Sequence, residues 1–219
     1  MVARIGAVVM AALGLFTAAG VHAEGNRYGY PRYYKSDISP AAAYQALTKD
    51  KDTVLIDVRS IEEFVGGHAP DAVNVPYPRV TGAGKDDPGY IGMTDAEFLA
   101  EIVKRIPNRD TPIIAMCQGG GRSALAGNIL AKAGYTNVRS VWSGYMGRTL
   151  TDTDGKPLDV NGNGVINGVT KDASGEVMKD PGDMDGWAGF NDLPTTKAID
   201  ASHVVDRFKE RYATTPPAK

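Results

Sequence analysis

The sequence predicts an α/β fold in which a parallel β-sheet is covered by helices on both faces. Two short runs that are mainly apolar, Val54–Asp57 and Ile113–Met116, have the length and composition of buried strands, and Val138–Val141 is predicted to be a further strand. Segments with helical spacing and clear start signals alternate with these runs along the chain. Strands that alternate with helices usually pair in parallel, and such sheets bind their ligands at the carboxyl ends of the strands.

Start signals mark three of the predicted helices. Ser39 followed by Pro40 provides an N-cap and a first-turn proline for a helix that extends to about Leu47. Ser60–Glu63 (S-I-E-E) and Thr94–Glu97 (T-D-A-E) both have the capping-box pattern, in which the first and fourth side chains bond to each other's backbone N–H. Each of these boxes therefore predicts a further helix.

The remaining elements follow from apolar patterns and stop signals. The alanine-rich segment 124–133 predicts a helix that ends near Gly134, and 72–75 predicts another short strand. A final helix is predicted from about Asp200 to Tyr212 and is expected to pack on the core. The apolar residues on its buried face are Val204, Val205 and Phe208.

The N-terminal residues have the features of a cleaved secretory signal peptide. An early Arg4 precedes an apolar run over 5–19, and small residues end the segment just before Glu24. The alternative is a membrane anchor, but the run falls short of the ~20 residues that a span requires. We therefore expect a mature protein that is periplasmic or secreted, with no membrane span after cleavage.

Length and composition predict one domain with additions. We divide the 219 residues into a signal peptide, an N-terminal arm, a domain core, a Gly/Asp/Asn-rich insertion, and a C-terminal helix and tail. Their bounds are 1–23, 24–37, 38–150, 151–194 and 195–219. The formal net charge is −2 and there is no long basic run, so nucleic acid is not expected as a partner.

The only cysteine of the chain, Cys117, begins the run C-Q-G-G-G-R-S between a predicted strand and a predicted helix. A loop of this kind turns several backbone N–H groups toward one point, and the helix N-terminus adds partial positive charge there. A thiolate at that point is stabilised, and an exported chain with one cysteine forms no internal disulfide. The alternative is a buried cysteine that only packs. The other residues of this cradle are Gln118, Gly119, Gly120, Gly121, Arg122 and Ser123.

This run resembles the active-site loop of the rhodanese (sulfurtransferase) family, which is typically written C-x-x-G-x-R-S. The stretch 56–76 also resembles that family, whose pattern there is roughly D-V-R, E-F/Y and G-H-I-x-G-A-x-N-I-P. Two positions depart from it, with Ala69 and Asp71 where the family usually has isoleucine and glycine. The matching residues of this stretch are Asp57, Arg59, Glu63, Phe64, Gly67, His68, Ala72, Asn74 and Pro76.

The resemblance implies sulfur transfer with Cys117 as the nucleophile. The thiolate would take sulfane sulfur from a small anionic donor such as thiosulfate, and the resulting persulfide would pass it to cyanide or a thiol. Backbone N–H groups of the loop would hold the anionic sulfur, and Arg122 would orient and neutralise the donor. Ser123 either caps the following helix or donates to the sulfur. No cofactor is required by this chemistry.

Two other functions remain open at this point. One is a non-turnover sulfur carrier that binds a periplasmic sulfur-accepting protein. The other is a small phosphatase or arsenate-handling enzyme, because a class of phosphatases shares the fold resemblance. Its cysteine loop is longer, however, whereas four residues separate Cys117 from Arg122 here.

Four further residues are expected to support the site. Asp57, Arg59 and His68 are interpreted as loop-fixing residues, since lone polar residues usually form local hydrogen bonds. Trp142 follows a predicted strand, where the resembled family commonly has an aromatic residue near the active site. Packing of its ring on the sheet is the alternative.

The insertion contains a possible structural calcium site. Asp159, Asn161 and Asn163 match positions 1, 3 and 5 of the calcium-loop pattern D-x-[DN]-x-[DN]-G, with Gly164 at position 6. The closing acidic ligand is absent, because Thr170 occupies position 12. An Asn-Gly turn in a solvated loop explains the same composition.

Overall fold

The structure is a computed structural model that describes residues 24–25, 28, 31–78, 92–152, 154, 156–159, 169–171, 177–179 and 184–217. The predicted signal peptide, 1–23, lies outside the described residues, as do residues 79–91. No helix within the described ranges is long and apolar enough to cross a membrane.

A five-stranded parallel sheet forms the centre of the fold. Its strands lie in the order Ser36–Ile38 (β3), Val138–Val141 (β7), Ile113–Met116 (β6), Val54–Asp57 (β4) and Val73–Asn74 (β5). All four residues of β6 are fully buried, so both faces of the sheet are covered, as the apolar runs predict. Three predicted strands have the predicted bounds, and the strand predicted over 72–75 is shorter. The strands are Glu24–Gly25 (β1), Pro31–Arg32 (β2), Ser36–Ile38 (β3), Val54–Asp57 (β4), Val73–Asn74 (β5), Ile113–Met116 (β6), Val138–Val141 (β7), Arg148–Thr149 (β8), Val169–Lys171 (β9), Val177–Lys179 (β10) and Met184–Asp185 (β11).

The three helices with a predicted cap begin where that cap places them. Ser39 caps the first helix, and both capping boxes form with their two reciprocal hydrogen bonds. The helices are Pro40–Lys49 (α1), Ile61–Val65 (α2), Asp95–Arg105 (α3), Gly121–Lys132 (α4) and Lys209–Thr214 (α5), the last preceded by a 3₁₀ turn, Asp206–Phe208.

Helix α4 begins three residues earlier than predicted. Its N-cap is Gly120, which has φ 97, so the glycine-rich loop enters the helix directly at Gly121. The N-cap role considered for Ser123 is therefore wrong, because Ser123 lies inside the first turn. The helix ends as predicted, with Gly134 in the left-handed region just after it.

The C-terminal helix is shorter than the prediction of 200–212. Residues before Asp206 are not helical, because Val204 forms a bridge to Asn74 and the Asn74 N–H donates to the His203 carbonyl. Pairing beside β5 thus competes successfully with helix formation there. The apolar residues expected on the buried face, Val204, Val205 and Phe208, are nevertheless buried.

The segments outside the sheet core also form ordered contacts. Ser36–Ile38, at the end of the arm, is the edge strand β3 and pairs with β7. In the insertion, β9 pairs with β10, and β11 pairs with β8 at the end of the domain core, both antiparallel. Trp187 ties the insertion to the domain, because its buried ring packs edge-on against Tyr44 and its backbone N–H donates to the Gly144 carbonyl at 3.0 Å.

Candidate active site

Cys117 lies directly after β6, at the carboxyl edge of the sheet where the sequence places the site. Its side chain is buried, with 1% exposure. The Gly120 N–H donates a hydrogen bond to Sγ at 3.0 Å. Because Gly120 also caps α4, this N–H belongs to the positive end of the helix dipole. The arrangement stabilises negative charge on the sulfur.

A pair of buried serine hydroxyls extends from the sulfur. Ser123 Oγ lies 3.6 Å from Cys117 Sγ and donates to the Gly120 carbonyl at 2.8 Å. Ser140 Oγ donates to Ser123 Oγ at 3.0 Å from strand β7. Since Ser123 has a single hydroxyl proton, it has none left for the sulfur while it bonds to Gly120. A thiol can donate to Ser123, whereas a thiolate would require the Ser123 hydroxyl to rotate toward it.

Arg122 is paired with a carboxylate rather than pointing into open solvent. Its Nη1 and Nη2 donate to the two oxygens of Glu63, each at 2.7 Å. The same carboxylate closes the α2 capping box by accepting from the Ser60 N–H. Burial acts to raise the pKa of Glu63, but the Arg122 guanidinium and the Ser60 N–H outweigh it, so the pKa lies below its ordinary value of 4.5. Glu63 is therefore ionised at neutral pH.

A buried ion pair supports the cysteine loop from below. Arg59 Nε and Nη2 bond to the Asp57 carboxylate at 2.8–3.0 Å, and both side chains are excluded from solvent. Arg59 also donates to the Gly67 carbonyl at 2.8 Å and to the Gln118 side-chain oxygen at 3.4 Å. The pair thus connects the stretch 57–67 to the cysteine loop. This is the loop-fixing role expected for Asp57 and Arg59.

The turn after β7 holds the other side of the loop. The Tyr145 N–H donates to the Cys117 carbonyl at 2.7 Å, and the Met146 N–H donates to the Gln118 carbonyl at 3.0 Å. The Tyr145 ring lies over the Arg59 guanidinium, 3.8 Å from its centroid. Gly144 permits this approach, because a Cβ there would come within 2.5 Å of the Cys117 carbonyl oxygen. Main-chain bonds therefore fix the position of Cys117.

Residues 39–148, half of the chain, match the sequence profile of the rhodanese-like domain. The chain belongs to the rhodanese-like domain family. The cysteine loop and the stretch 56–76 both fall within this match.

Several relatives and a solved structure are similar to this rhodanese-like domain. Thiosulfate sulfurtransferase 16, chloroplastic, from Arabidopsis thaliana is 40% identical over 91 residues, which are 41% of this chain and 68% of that protein. The putative mitochondrial thiosulfate sulfurtransferase of Schizosaccharomyces pombe is 35% identical over 91 residues, covering 42% of this chain and 59% of that protein. Protein HIGH ARSENIC CONTENT 1, mitochondrial, from Arabidopsis thaliana is 31% identical over 90 residues, covering 41% of this chain and 48% of that protein. The crystal structure of Rv0390 from M. tuberculosis has 26% identity and a TM-score of 0.47, and the match covers 75% of this chain and 99% of that one.

The family and the two relatives named thiosulfate sulfurtransferases support sulfurtransferase activity in general. The chain spans 59% of the length of the Schizosaccharomyces pombe protein and 48% of that of Protein HIGH ARSENIC CONTENT 1. The donor, acceptor and covalent intermediate of this rhodanese-like domain are therefore matters of proposal.

His68 contacts helix α2, and Trp142 bonds to the edge strand β3. The His68 ring stacks on Phe64 with centroids 3.7 Å apart, and its Nδ1 lies 3.0 Å from the Phe64 carbonyl. It thus fixes the end of α2, as a loop-fixing residue would. Trp142 is buried, and its N–H donates to the Ile38 carbonyl, which fits the packing alternative.

The two departures from the family pattern are accommodated locally. Ala69 is fully buried. Asp71 has φ 59, the left-handed region in which glycine is favoured, which accounts for the glycine that the family usually has there. Neither residue touches the cysteine loop in the contacts described.

The predicted calcium loop is only partly described. Asp159 is exposed, while Asn161 and Asn163 lie outside the described residues. Within the described part of the chain, no group of three or more His, Cys, Asp or Glu side chains is gathered as a metal site.

Sequence reasoning missed two residues of the site. The sequence gives Glu63 a capping-box role and a place in the family pattern but no contact with the cysteine loop, and it does not single out Ser140. A signal for Glu63 exists, because an arginine in the first turn of a helix is unfavourable beside the helix dipole and calls for a nearby anion. The sequence does not identify that anion. No local pattern distinguishes Ser140 from another strand residue.

Proposed function

We propose that this protein is a sulfurtransferase that carries sulfane sulfur as a persulfide on Cys117. The observation that carries the proposal is the Gly120 N–H donating to Cys117 Sγ at 3.0 Å at the start of α4. It supports a thiolate and, after sulfur transfer, an anionic terminal sulfur in the same loop. Family membership and the relatives named thiosulfate sulfurtransferases support the same chemistry.

The proposed reaction has two nucleophilic steps. The Cys117 thiolate attacks the outer sulfur of thiosulfate; the new S–S bond forms as the bond to the sulfonate sulfur breaks, and its electron pair leaves with sulfite. Cyanide or a thiolate then attacks the terminal sulfur of the persulfide and leaves with it, as thiocyanate or a new persulfide. The second step returns the Cys117 thiolate, so no external oxidant or reductant is consumed.

Intact mass spectrometry tests this proposal directly. After treatment with thiosulfate, the protein should gain the mass of one sulfur atom, and cyanide should remove it in repeated cycles. Cys117→Ser should gain nothing. Absence of any gain in the wild-type protein would overturn the proposal.

The burial of Cys117 favours a second candidate, a carrier that gives its sulfur only to a protein partner. With 1% exposure, the sulfur is poorly open to bulky acceptors. A carrier would gain sulfur from thiosulfate but would not release it to cyanide or small thiols. The mass experiment therefore separates the carrier from the enzyme.

The similarity to Protein HIGH ARSENIC CONTENT 1 keeps an oxyanion-handling function as a third candidate. Arsenate reduction or aryl phosphate hydrolysis by the wild type, absent in Cys117→Ser, would support it. The four-residue spacing between Cys117 and Arg122 favours sulfur over a phosphate-sized group.

We further propose that residues 1–23 are removed on export and that the protein works in the periplasm or outside the cell. The support is the sequence pattern of Arg4, the apolar run and the small residues before Glu24. Mass analysis of protein from a bacterial periplasmic fraction should give a chain that starts at Glu24. Recovery of the uncut chain from the cytosol alone would contradict this.

A further inference from the structure

The Arg122–Glu63 ion pair joins the cysteine loop to helix α2. Both N···O distances are 2.7 Å, and the two bonds run in parallel from the guanidinium to the carboxylate. Glu63 Oε2 also accepts from the Ser60 N–H at 2.8 Å. The carboxylate is thus held in place by its own helix before any ligand arrives, and its geometry matches the guanidinium fork.

Glu63 already binds the positive charge of Arg122 that an anionic donor would need. Arg122 follows the Gly120 cap of α4 by two positions, at the rim of the loop that contains Cys117. Its side chain is 22% exposed and that of Glu63 is 18% exposed, so solvent screens the pair only in part. A donor that bonds to Arg122 must displace a carboxylate, and it meets negative charge from Glu63 at the same place.

We propose that Glu63 is a specificity-determining residue that withholds Arg122 from dianionic donors, so that the site prefers sulfane sulfur carried on a monoanion. This inference rests on the proposed sulfur transfer, whose donor it specifies. Thiosulfate is a dianion and suffers the full repulsion. Methanethiosulfonate has the same outer sulfur with one oxygen replaced by a methyl group, so it carries one negative charge fewer. Like charges brought together at a partly desolvated site cost enough to produce large differences in affinity.

Glu63→Gln tests the proposal without removing the cap, because glutamine also serves in a capping box. With its charge removed, kcat/KM for thiosulfate should rise about tenfold or more, mainly through a lower KM, since the guanidinium is no longer committed. The increase for methanethiosulfonate should be clearly smaller. The rate of the second half-reaction, from persulfide to cyanide, should rise less than that of the first, because cyanide carries a single negative charge. All assays are run at one ionic strength.

Glu97→Gln is the matched control. Glu97 closes the other capping box, at the start of α3, and pairs with Arg207 at 2.9 Å. The same chemical change is thus made at a helix start away from Cys117. Donor kinetics should match those of the wild type. A comparable rise in thiosulfate kcat/KM would show that a general charge effect, and not the local pair, is responsible.

A binding measurement separates this inference from the proposed function. Thiosulfate and sulfate are titrated by calorimetry into Cys117→Ser and into Cys117→Ser/Glu63→Gln, where no sulfur is transferred. Tighter anion binding in the double variant supports the proposal even if the wild type transfers no sulfur. Adding Arg122→Gln should abolish most of this gain, because the released guanidinium is then absent.

Two outcomes would overturn the proposal. Equal anion affinities with and without the Glu63 charge would show that Arg122 is not withheld. Weaker anion binding and a lower kcat/KM in Glu63→Gln would show instead that Glu63 orients Arg122 for the donor. Circular dichroism and urea unfolding of each variant establish that the fold is retained.

Discussion

The Ser123 hydroxyl faces two acceptors with one proton. It bonds to the Gly120 carbonyl at 2.8 Å and lies 3.6 Å from Cys117 Sγ, while Ser140 donates to it from behind. Ionisation of the thiol changes which acceptor is stronger, since hydrogen bonds to charged groups are stronger than those between neutral groups. The Ser123 hydroxyl can therefore turn from the Gly120 carbonyl to the sulfur when the sulfur is charged. In both orientations Ser140 donates to a lone pair of Ser123 Oγ.

Replacement of Ser123 by alanine should slow the reaction of Cys117 with iodoacetamide at neutral pH. Loss of a hydrogen bond worth about 1.4 kcal/mol to a charged group corresponds to about tenfold. Ser140→Ala should slow alkylation less, because it acts through Ser123. Alkylation followed by mass spectrometry measures both. Wild-type rates in Ser123→Ala would show that the hydroxyl does not interact with the thiolate.

His68 should make the protein less stable as the pH falls below neutrality. Burial lowers its pKa below the ordinary 6.5, although the Phe64 carbonyl opposes this. Well above pH 6.5, His68 is unprotonated in both the folded and the unfolded chain. As the pH falls below about 6.5, the unfolded chain gains a proton that the folded chain refuses, so stability is lost until the pH reaches the lower folded pKa.

Urea unfolding between about pH 7.5 and 5.5 measures this dependence. His68→Gln should lose this part of the pH dependence. Retention of the full dependence in His68→Gln would assign it to another group.

At the scale of the elements, the start of α4 determines the surroundings of the Cys117 sulfur. Gly120 takes φ 97 and donates to the sulfur, and a Cβ at this position would fall within 2.0 Å of the Trp142 carbonyl oxygen. Gly119 is next to it, yet a Cβ there meets nothing within 4 Å. The two neighbouring glycines therefore have different roles in one loop.

Gly120→Ala should destabilise the protein and reduce sulfur transfer. The backbone strain alone costs about 1–3 kcal/mol, and the clash with main-chain atoms adds to it. Gly119→Ala is the control and should retain most stability and activity. Urea unfolding and sulfur gain measured by mass make the comparison. Equal effects at both positions would contradict the geometry.

The expected calcium loop at Asp159, Asn161 and Asn163 is tested by thermal unfolding. Calcium that binds only the folded state at about 100 times its Kd adds about 2.7 kcal/mol and raises Tm, and a chelator reverses the rise. Asp159→Ala should remove the effect. A midpoint that responds to neither calcium nor chelator would end the expectation.

At the scale of the whole molecule, the C-terminal segment completes the support of the site. Tyr212 Oη donates to the Asn74 side-chain oxygen, and the Asn74 amide donates to the Asp57 and Arg59 carbonyls at 2.8 and 3.0 Å. These hydrogen bonds thus connect the C-terminal segment to the backbone of Asp57 and Arg59, whose side chains support the cysteine loop. The buried residues around Tyr212 make the segment part of the core.

Tyr212→Phe should lower the free energy of unfolding by about 1–3 kcal/mol, because it leaves a buried amide oxygen without a donor. Tyr33→Phe is the control, since Tyr33 is 40% exposed and should lose little. Urea unfolding of both variants provides the measurement. An unchanged midpoint in Tyr212→Phe would show that this bond does not stabilise the fold.

Local signals account for most of the predicted elements. Local patterns predict the strands β4, β6 and β7. The caps at Ser39, Ser60 and Thr94 predict where three helices begin, because strand burial and helix capping depend on residues close in sequence. The C-terminal helix was predicted too long, because a helical apolar pattern does not reveal the pairing of Val204 with Asn74.

The sequence by itself determined the fold class and the family resemblance and singled out Cys117, since these depend on local patterns and on a single cysteine with its loop. Only the tertiary structure decided what surrounds Cys117. It assigned Glu63 to Arg122, Ser140 to Ser123 and Tyr145 to the Cys117 carbonyl. These partners lie on separate elements, and hydrogen bonds and ion pairs depend on distances in space that sequence spacing does not encode.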